Sequence, residues 1–310
     1  MADAIKVNAG FATIGQGAGP MIVTQRAGLF RKHGLEVDIR IMGGAVGVVR
    51  GLLDGEIQFG NLAAPALLEA VLRGKPDMVF LTGGINQQFV MTRPGIHRRE
   101  QLAEGTMGIA GDAGLNDVLV HFALDQFEAA GIRNISKVPL PSGENARLEA
   151  LVAGKCDAMV ITPPTALVAH RRGCAFIVDF ADYGLNYALG GLAARRDYVE
   201  ANEGIIRRIV SAYVEGMHRY RTDREFTVKV QQEYSGIEDR AIAEETYDMT
   251  QPGMPPIPRP VPSALKTVLE FMGRDLPAAR EADPHRFIDN RFITELEQNG
   301  FIASLSSSAR

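Results

Sequence analysis

Apolar and charged residues alternate along the stretch 35–41, LEVDIRI. The charged positions are Glu36, Asp38 and Arg40, and the positions between them are leucine, valine or isoleucine. A period of two is typical of a strand that buries one face and exposes the other. The pattern therefore predicts a half-buried β-strand.

A glycine-rich loop, residues 13–19, lies between a predicted strand over 6–11 and a predicted helix over 20–33. Pro20 suits the first turn of a helix, and Gly34 ends it. A helix N-terminus presents unpaired N–H groups and partial positive charge, so it can hold an anion or a polar ligand. The loop is therefore a candidate ligand contact, and the alternative is a flexible turn between two core elements.

Glycine recurs at every second position of this loop, at Gly15, Gly17 and Gly19. Nucleotide-binding loops have similar glycine spacing, but they also carry an acidic residue after the second strand or a Gly-Lys-Ser sequence. Neither feature occurs at the expected place in this chain. We therefore expect no nucleotide to bind here.

The chain as far as residue 194 alternates between short apolar runs and helical segments, and after residue 197 the pattern is helical. Alternation of this kind favours an α/β fold with a mostly parallel sheet. Two predicted strands, over 83–92 and 187–194, are long enough to cross between two halves of the molecule, and these would form a hinge. Strands are predicted over residues 56–60, 78–81, 83–92, 106–110, 136–140, 174–180 and 187–194.

The segment 251–262 contains six prolines. Because proline lacks an N–H group, this segment can form neither a helix nor a central strand. We expect a surface loop, followed by a helix that Ser263 caps and that runs to Met272.

Residues 51–65 and 150–164 share one plan, in which a helix end, a glycine and a short strand precede a proline. This similarity indicates two related lobes, although chance similarity between two βα units is an alternative. A chain of 310 residues also exceeds the size at which one hydrophobic core usually stops growing. We predict that lobe I comprises 1–86 and 195–310 and that lobe II comprises 87–194.

Charge and hydropathy exclude two classes of protein. The chain has 33 basic and 37 acidic residues and a formal net charge of −4, so it lacks the basic footprint of a nucleic-acid-binding protein. It also has no run of about 18 apolar residues, so no transmembrane segment is expected.

Three stretches resemble one known family. They are RAGLFRKHGLEVDI at 26–39, RLEALVAGKCDAMVITPP at 147–164 and FIDNRFITELEQNGF at 287–301. Together they resemble the NMT1/THI5-like group of type II periplasmic binding proteins, which includes proteins that bind sulfonates, nitrate, taurine and pyrimidine precursors.

The resemblance implies a type II periplasmic-binding-protein fold, with two α/β lobes joined by a two-strand hinge. It implies a solute-binding protein that captures a small, polar, anionic organic molecule in the cleft between the lobes for ABC-type import, with an ABC permease as partner. The first residues show no basic segment followed by an apolar one, as a signal peptide would. The location is periplasmic if an upstream signal peptide was removed, and cytoplasmic if Met1 is the native start.

The alternative function is a cytoplasmic enzyme of the lyase or hydrolase type, or a ligand sensor, that uses the same cleft. The sequence contains no HExxH, CxxC or GxSxG motif. The sulfinate desulfinases that resemble this family use a cysteine in the first βα loop, whereas the loop 13–19 contains no nucleophile. An enzyme is therefore less favoured than a binding protein, but other chemistry is not excluded.

The two cysteines, Cys156 and Cys174, each precede an apolar run, which favours packing as small hydrophobic residues. A disulfide between them remains open. His170 lies four positions before Cys174, but a tetrahedral metal site needs three or four convergent ligands. We expect neither a metal nor another cofactor.

Polar residues in loops after strands are the candidates for ligand binding, since ligands of open α/β sheets bind there. Each has a structural alternative: Asp112 and Ser142 could cap helices, Asn61 could form a turn, Thr162 could satisfy a backbone group, and Tyr187 could belong to the core. The candidates are Thr13, Gln16, Gly17, Asn61, Asp112, Asn116, Ser142, Thr162, Asn186 and Tyr187.

Three predicted helix starts, after Gly19, near Gly114 and after Gly143, would face the cleft. Each offers free N–H groups and the positive end of a helix dipole, which favours an anion. The first loop has no lysine or arginine, so neutral donors such as Gln16 and Asn116 would hold the ligand.

Overall fold

The computed structural model describes residues 4–84, 87–110, 115–141, 143–183 and 190–307. Within them the chain forms two five-stranded sheets with helices packed against them. The predicted two-lobed α/β architecture is confirmed.

The first sheet contains, in spatial order, β2 (Leu35–Ile41), β1 (Ile5–Phe11), β3 (Phe59–Ala63), β10 (Gly190–Arg195) and β4 (Met78–Phe80). β10 runs antiparallel to both of its neighbours, and the other pairs are parallel. The three charged side chains of the edge strand β2 are exposed, as the alternation predicts.

The second sheet repeats this arrangement with β7 (Ser136–Pro139), β6 (Thr106–Ile109), β8 (Ala158–Ile161), β5 (Phe89–Thr92) and β9 (Ala175–Asp179). Here β5 is the antiparallel strand, between β8 and β9. Each sheet is therefore mostly parallel, as predicted. In a parallel sheet the carboxyl ends of the strands share one edge, where ligands bind.

The helices divide between the two sheets. We call lobe one the first sheet with α1–α4 and α8–α14, and lobe two the second sheet with α5–α7. The α-helices of the described residues are α1 (Gly19–Arg26), α2 (Leu29–Lys32), α3 (Ala45–Leu53), α4 (Ala64–Leu72), α5 (Leu115–Ala129), α6 (Glu144–Val152), α7 (Thr165–Arg171), α8 (Arg196–Ala201), α9 (Glu203–Thr222), α10 (Arg224–Ser235), α11 (Arg240–Thr250), α12 (Pro262–Met272), α13 (Arg291–Gln298) and α14 (Phe301–Ser307).

The C-terminal helices pack on the first sheet. Tyr213 of α9 and Phe292 of α13 share a buried cluster with Val7 of β1 and Phe59 of β3. A second cluster contains Leu67 of α4, Phe127 of α5 and Leu269 of α12, and so joins the two lobes. Apolar packing thus brings chain ends that are distant in sequence to the same lobe.

The helix predicted over 20–33 is two helices. α1 ends at Arg26 and α2 begins at Leu29. Gly28, between them, adopts a left-handed conformation with φ of 69°, which interrupts the helix and which glycine adopts without a Cβ clash.

The strand predicted over 56–60 begins later, at Phe59. Its start is set by the parallel pairing with β1, in which Phe59 lies opposite Ala9. The apolar pattern could not locate that start, because Ile57 and Phe59 are both buried.

The long strand predicted over 83–92 is also shorter, since β5 begins at Phe89. The backbone N–H of Gly83 donates to the carbonyl oxygen of Pro258 at 2.6 Å, so the proline-rich segment takes a donor that a strand would need. The helix after this segment begins at Pro262 and not after Ser263, because the fixed φ of proline suits the first helical position.

The second crossing strand, predicted over 187–194, is described from Gly190 onward, and its first three residues lie outside the described part. β10 belongs to the first sheet, although the predicted lobe II extends to residue 194. A Cβ on Gly190 would lie 2.2 Å from the carbonyl oxygen of Leu62, so glycine permits this pairing with β3. The predicted lobe boundaries at residues 86 and 194 stay predictions.

Within the described ranges, no helix combines the length and the apolarity that crossing a membrane requires.

Candidate functional site

A cavity of about 150 Å³ lies between the two lobes. Lobe one contributes the loop after β1, the start of α3 and the end of β3, and lobe two contributes the end of β8 and the starts of α5 and α6. The carboxyl ends of parallel strands from both sheets therefore meet at one space. This placement is the usual one for ligands of open α/β sheets.

The first loop enters the cavity through Gly15 and Gly17. A Cβ on Gly15 would lie 3.5 Å from Thr162 Oγ1 and 3.7 Å from Glu144 Oε2, so the two lobes approach closely at this point. From behind, Tyr234 of α10 donates a hydrogen bond from its phenol to the carbonyl oxygen of Gly15 at 3.1 Å. The loop is thus fixed by lobe one and faces lobe two.

Lobe two presents a carboxylate at the first residue of α6. Glu144 Oε1 accepts hydrogen bonds from Thr162 N at 2.7 Å and from Thr162 Oγ1 at 2.6 Å. Burial raises the pKa of Glu144, and the bonds from Thr162 and the positive charge of Arg147 offset this only in part. Glu144 is therefore a carboxylate held in a poorly solvated place.

Arg147 lies three residues after Glu144, so both side chains lie on the same face of α6 and line the cavity. Arg147 Nε is buried and has no hydrogen-bond partner within the described part of the chain. The two side chains form no ion pair with each other at 4 Å or less. A buried guanidinium donor without a partner is costly, and an acidic group of a ligand would satisfy it.

Two neutral amides complete the polar lining. Asn61 at the end of β3 is 9% exposed and Gln88 before β5 is 5% exposed. Among the described residues, neither side-chain amide has a hydrogen-bond partner, and both line the cavity. A side-chain amide can both donate and accept hydrogen bonds, so this pair can bind polar atoms of a ligand.

Five of the ten residues predicted for ligand binding line this cavity, and their binding roles remain predictions. They are Thr13, Gly17, Asn61, Asn116 and Thr162. Asn116 donates from Nδ2 to the carbonyl oxygen of Val160 at 2.9 Å, which leaves its Oδ1 for a ligand.

The side chains of the other five predicted residues lie outside the description. The backbone of Gln16 belongs to a short 3-10 helix over Gln16–Ala18, and its side chain lies outside the description. Asp112, Ser142, Asn186 and Tyr187 lie outside the described residues.

Sequence reasoning missed Gln88, Glu144 and Arg147. A usable signal was present for the last two, because an acidic and a basic residue three positions apart open the helix after a strand and a glycine loop. Gln88 carries no such signal, since it lies within the strand predicted over 83–92.

The cysteines lie away from the cavity. Cys156 and Cys174 are free and belong to a buried apolar cluster of lobe two. Burial raises the pKa of the Cys156 thiol to about 11, so it is protonated at neutral pH. His170 Nδ1 contacts the carbonyl oxygen of Cys174 at 3.1 Å and not its thiol. Within the described ranges, no three His, Cys, Asp or Glu side chains are grouped as a metal site would require.

Comparison with solved structures finds the same fold in proteins of low sequence identity. The alkanesulfonate-binding protein SsuA from Xanthomonas axonopodis pv. citri, bound to MOPS, is 14% identical over 94% of this chain and 100% of that chain, with a TM-score of 0.73. The periplasmic aliphatic sulphonate-binding protein SsuA from Escherichia coli is 18% identical over 92% and 98%, with a TM-score of 0.72. The desulfurization enzyme DszB is 17% identical over 95% and 99%, with a TM-score of 0.68.

A search of curated proteins found no match. The family model described as NMT1/THI5 like matches residues 17–223, which include the first glycine loop from Gly17 onward, the starts of both lobe-two helices at the cavity, and all of α9. The match spans more than half of the chain, so this protein belongs to the NMT1/THI5-like family.

Proposed function

We propose that this protein is a solute-binding protein that captures a small organic acid between its two lobes and delivers it to an ABC importer. The proposal rests mainly on one observation: Arg147, whose buried Nε has no partner in the described part of the chain, lines an interlobe cavity together with the amides of Asn61 and Gln88. The solved sulfonate-binding proteins of the same fold support it.

The cavity limits the size of the ligand. Its volume of about 150 Å³ equals that of an engineered protein cavity that holds benzene. We therefore propose a ligand of about ten or fewer non-hydrogen atoms, with its acidic group at Arg147 and its remaining polar atoms at Asn61 and Gln88.

In this proposal the protein acts in the periplasm and meets an ABC permease after the lobes close on the ligand. Hinge closure of two lobes around a ligand is an established mechanism for binding proteins. The two crossing strands predicted from the sequence, over 83–92 and 187–194, would act as the hinge.

An enzyme is the second candidate, because DszB has this fold. Against it, the described first loop contains no nucleophile, and both cysteines are buried in lobe two. A binding protein returns its ligand unchanged, whereas an enzyme converts it, so recovery of the ligand distinguishes the two.

The test is a thermal-shift screen of small sulfonates, carboxylates and phosphonates beside neutral and purely cationic analogues, followed by calorimetry. Replacing Arg147 with glutamine should weaken the best acid about 10- to 100-fold, since a hydrogen bond to a charged group contributes about 1.5–3 kcal/mol. Arg172→Gln is the control, because Arg172 bonds Glu149 on the surface of lobe two. The proposal is wrong if no acid stabilises the protein, or if the best acid binds Arg147→Gln unchanged. Mass spectrometry after long incubation should recover the acid intact.

A further inference from the structure

Two opposite charges line the same cavity without neutralising each other. Glu144 and Arg147 are the charged side chains of its described lining, and they form no ion pair. Their charges sum to zero, so the cavity as a whole does not favour a ligand with net negative charge. It favours a ligand that places a negative group at one side chain and a positive group at the other.

Only one of the two oxygens of the Glu144 carboxylate accepts hydrogen bonds from the described residues. Oε1 accepts both hydrogen bonds from Thr162, whereas Oε2 receives none from the described residues. Oε2 is directed to the first loop, where a Cβ on Gly15 would lie 3.7 Å away. Neither loop residue Gly15 nor Gly17 carries a side chain that could donate to this oxygen. A donor for Oε2 must therefore come from the backbone, from solvent or from the ligand.

A ligand with only an acidic group would leave Glu144 poorly compensated. It would bring a second negative charge into a confined space and leave the buried carboxylate without a cationic partner, which is unfavourable. A protonated amine on the same ligand removes both costs, since an ammonium donates charge-assisted hydrogen bonds to a carboxylate.

We propose that Glu144 determines specificity by binding a protonated amine of the ligand while Arg147 binds its acidic group, so that the ligand is a small amino-substituted organic acid. This inference rests on the proposed binding function and adds the class of ligand to it. Glu144 is the residue that distinguishes an amino acid from the plain acid of the same length.

Matched pairs of compounds test the inference on the unaltered protein. Each pair differs only by an amine: 3-aminopropanoate and propanoate, 4-aminobutanoate and butanoate, and 2-aminoethylphosphonate and ethylphosphonate. Calorimetry should show that the amino member of the best pair binds at least about tenfold more tightly, as expected for a charged hydrogen bond. The comparison does not depend on any variant folding.

The variant Glu144→Gln then identifies the residue responsible. Glutamine keeps an Oε1 acceptor for both Thr162 bonds but has no charge, so the preference within the best pair should fall to about threefold or less. The plain acid should bind this variant as well as, or better than, the parent. A uniform loss of affinity for both members would instead indicate a structural role and overturn the inference.

The outcomes separate this inference from the proposed function. If plain acids bind as tightly as their amino partners, or if amines without an acidic group bind best, the role of Glu144 is wrong. In the first case the binding function itself stands. If no acid of either kind binds here and none does in the wider screen, the proposed function fails as well.

Discussion

Tyr234 donates a hydrogen bond from its phenol to the carbonyl oxygen of Gly15, 219 positions earlier in the chain, at 3.1 Å. The same carbonyl accepts a bond from Ala18 N at 3.2 Å, so it is held from two directions. A Cβ on the neighbouring Gly19 would lie 3.0 Å from Tyr220 and 3.4 Å from Tyr234. Helices near the C-terminus therefore fix the loop that lines the cavity.

Removing this hydroxyl should weaken ligand binding. Tyr234→Phe keeps the ring and loses one hydrogen bond, worth about 0.5–1.5 kcal/mol, so we expect a three- to tenfold loss of affinity for the best ligand by calorimetry. The control is Tyr247→Phe, which loses a bond to the carbonyl oxygen of Arg221 at 2.8 Å. That variant should lose stability without losing affinity. Equal affinity in all three proteins would show that the tyrosine does not position the loop.

The contact between α9 and α1 should tolerate no side chain at Gly216. A Cβ there would lie 1.8 Å from Thr24 Oγ1, and Thr24 is completely buried. Gly216→Ala should therefore destabilise the protein by about 1–3 kcal/mol in urea unfolding, through overpacking.

Gly204→Ala on the same helix provides the comparison. No atom lies within 4 Å of a Cβ at that position, so alanine should be neutral or stabilising by up to about 1 kcal/mol. If the two alanine variants were equally stable, the close packing of α9 on α1 would be wrong.

Arg171 joins the two lobes outside the cavity. It lies at the end of α7 and forms ion pairs with Asp239, at the start of α11, and with Glu245 of α11. These groups are exposed, so the pairs are worth at most about 1 kcal/mol and are weakened by salt. Arg171→Gln should favour the open form and weaken ligand binding by up to about fivefold at low salt.

The neighbouring Arg172→Gln is the control for this experiment, since Arg172 pairs with Glu149 within lobe two. Its affinity should equal that of the parent at every salt concentration. Small-angle scattering without ligand should show a larger radius of gyration for Arg171→Gln only. An identical radius and affinity for both variants would remove the interlobe role of Arg171.

The stability of the ligand-free protein should depend on pH through Glu144. Burial raises the pKa of Glu144, so the folded protein binds this proton more tightly than the unfolded chain. That stabilisation is fully present below the ordinary glutamate pKa of about 4.3, and it is lost as pH rises through the raised value. Glu144→Gln does not titrate, so its stability relative to the parent should increase as pH rises above the ordinary glutamate pKa of about 4.3.

The nearby phenol of Tyr234 does not contribute at acidic or neutral pH, because burial raises its pKa. Glu149→Gln on the same helix is the control. Its relative stability should change with pH in the opposite direction, because the hydrogen bond from Arg172 lowers the pKa of Glu149. Its loss of stability relative to the parent should grow as pH rises. A pH-independent difference for Glu144→Gln would contradict the buried carboxylate.

The sequence alone determined the local elements and the class of fold. The alternation over 35–41 specified β2 because strand periodicity depends only on neighbouring residues. The family stretches and the similarity of 51–65 to 150–164 indicated two related lobes, and the two sheets have corresponding strand orders. Asn61 and Thr162, which follow strands as the sequence indicates, line the cavity, and their binding roles stay predictions.

Only the tertiary structure decided which groups meet in the cleft and which lack partners. Glu144 and Arg147 face the cavity because the second sheet sets the start of α6 opposite the first loop, and no local pattern encodes that distance. Tyr234 reaches Gly15 because apolar packing returns the C-terminal helices to lobe one. Helix and strand patterns depend on neighbouring residues, so the sequence could determine them. Hydrogen-bond partners and burial depend on contacts between distant residues, so only the tertiary structure could determine those.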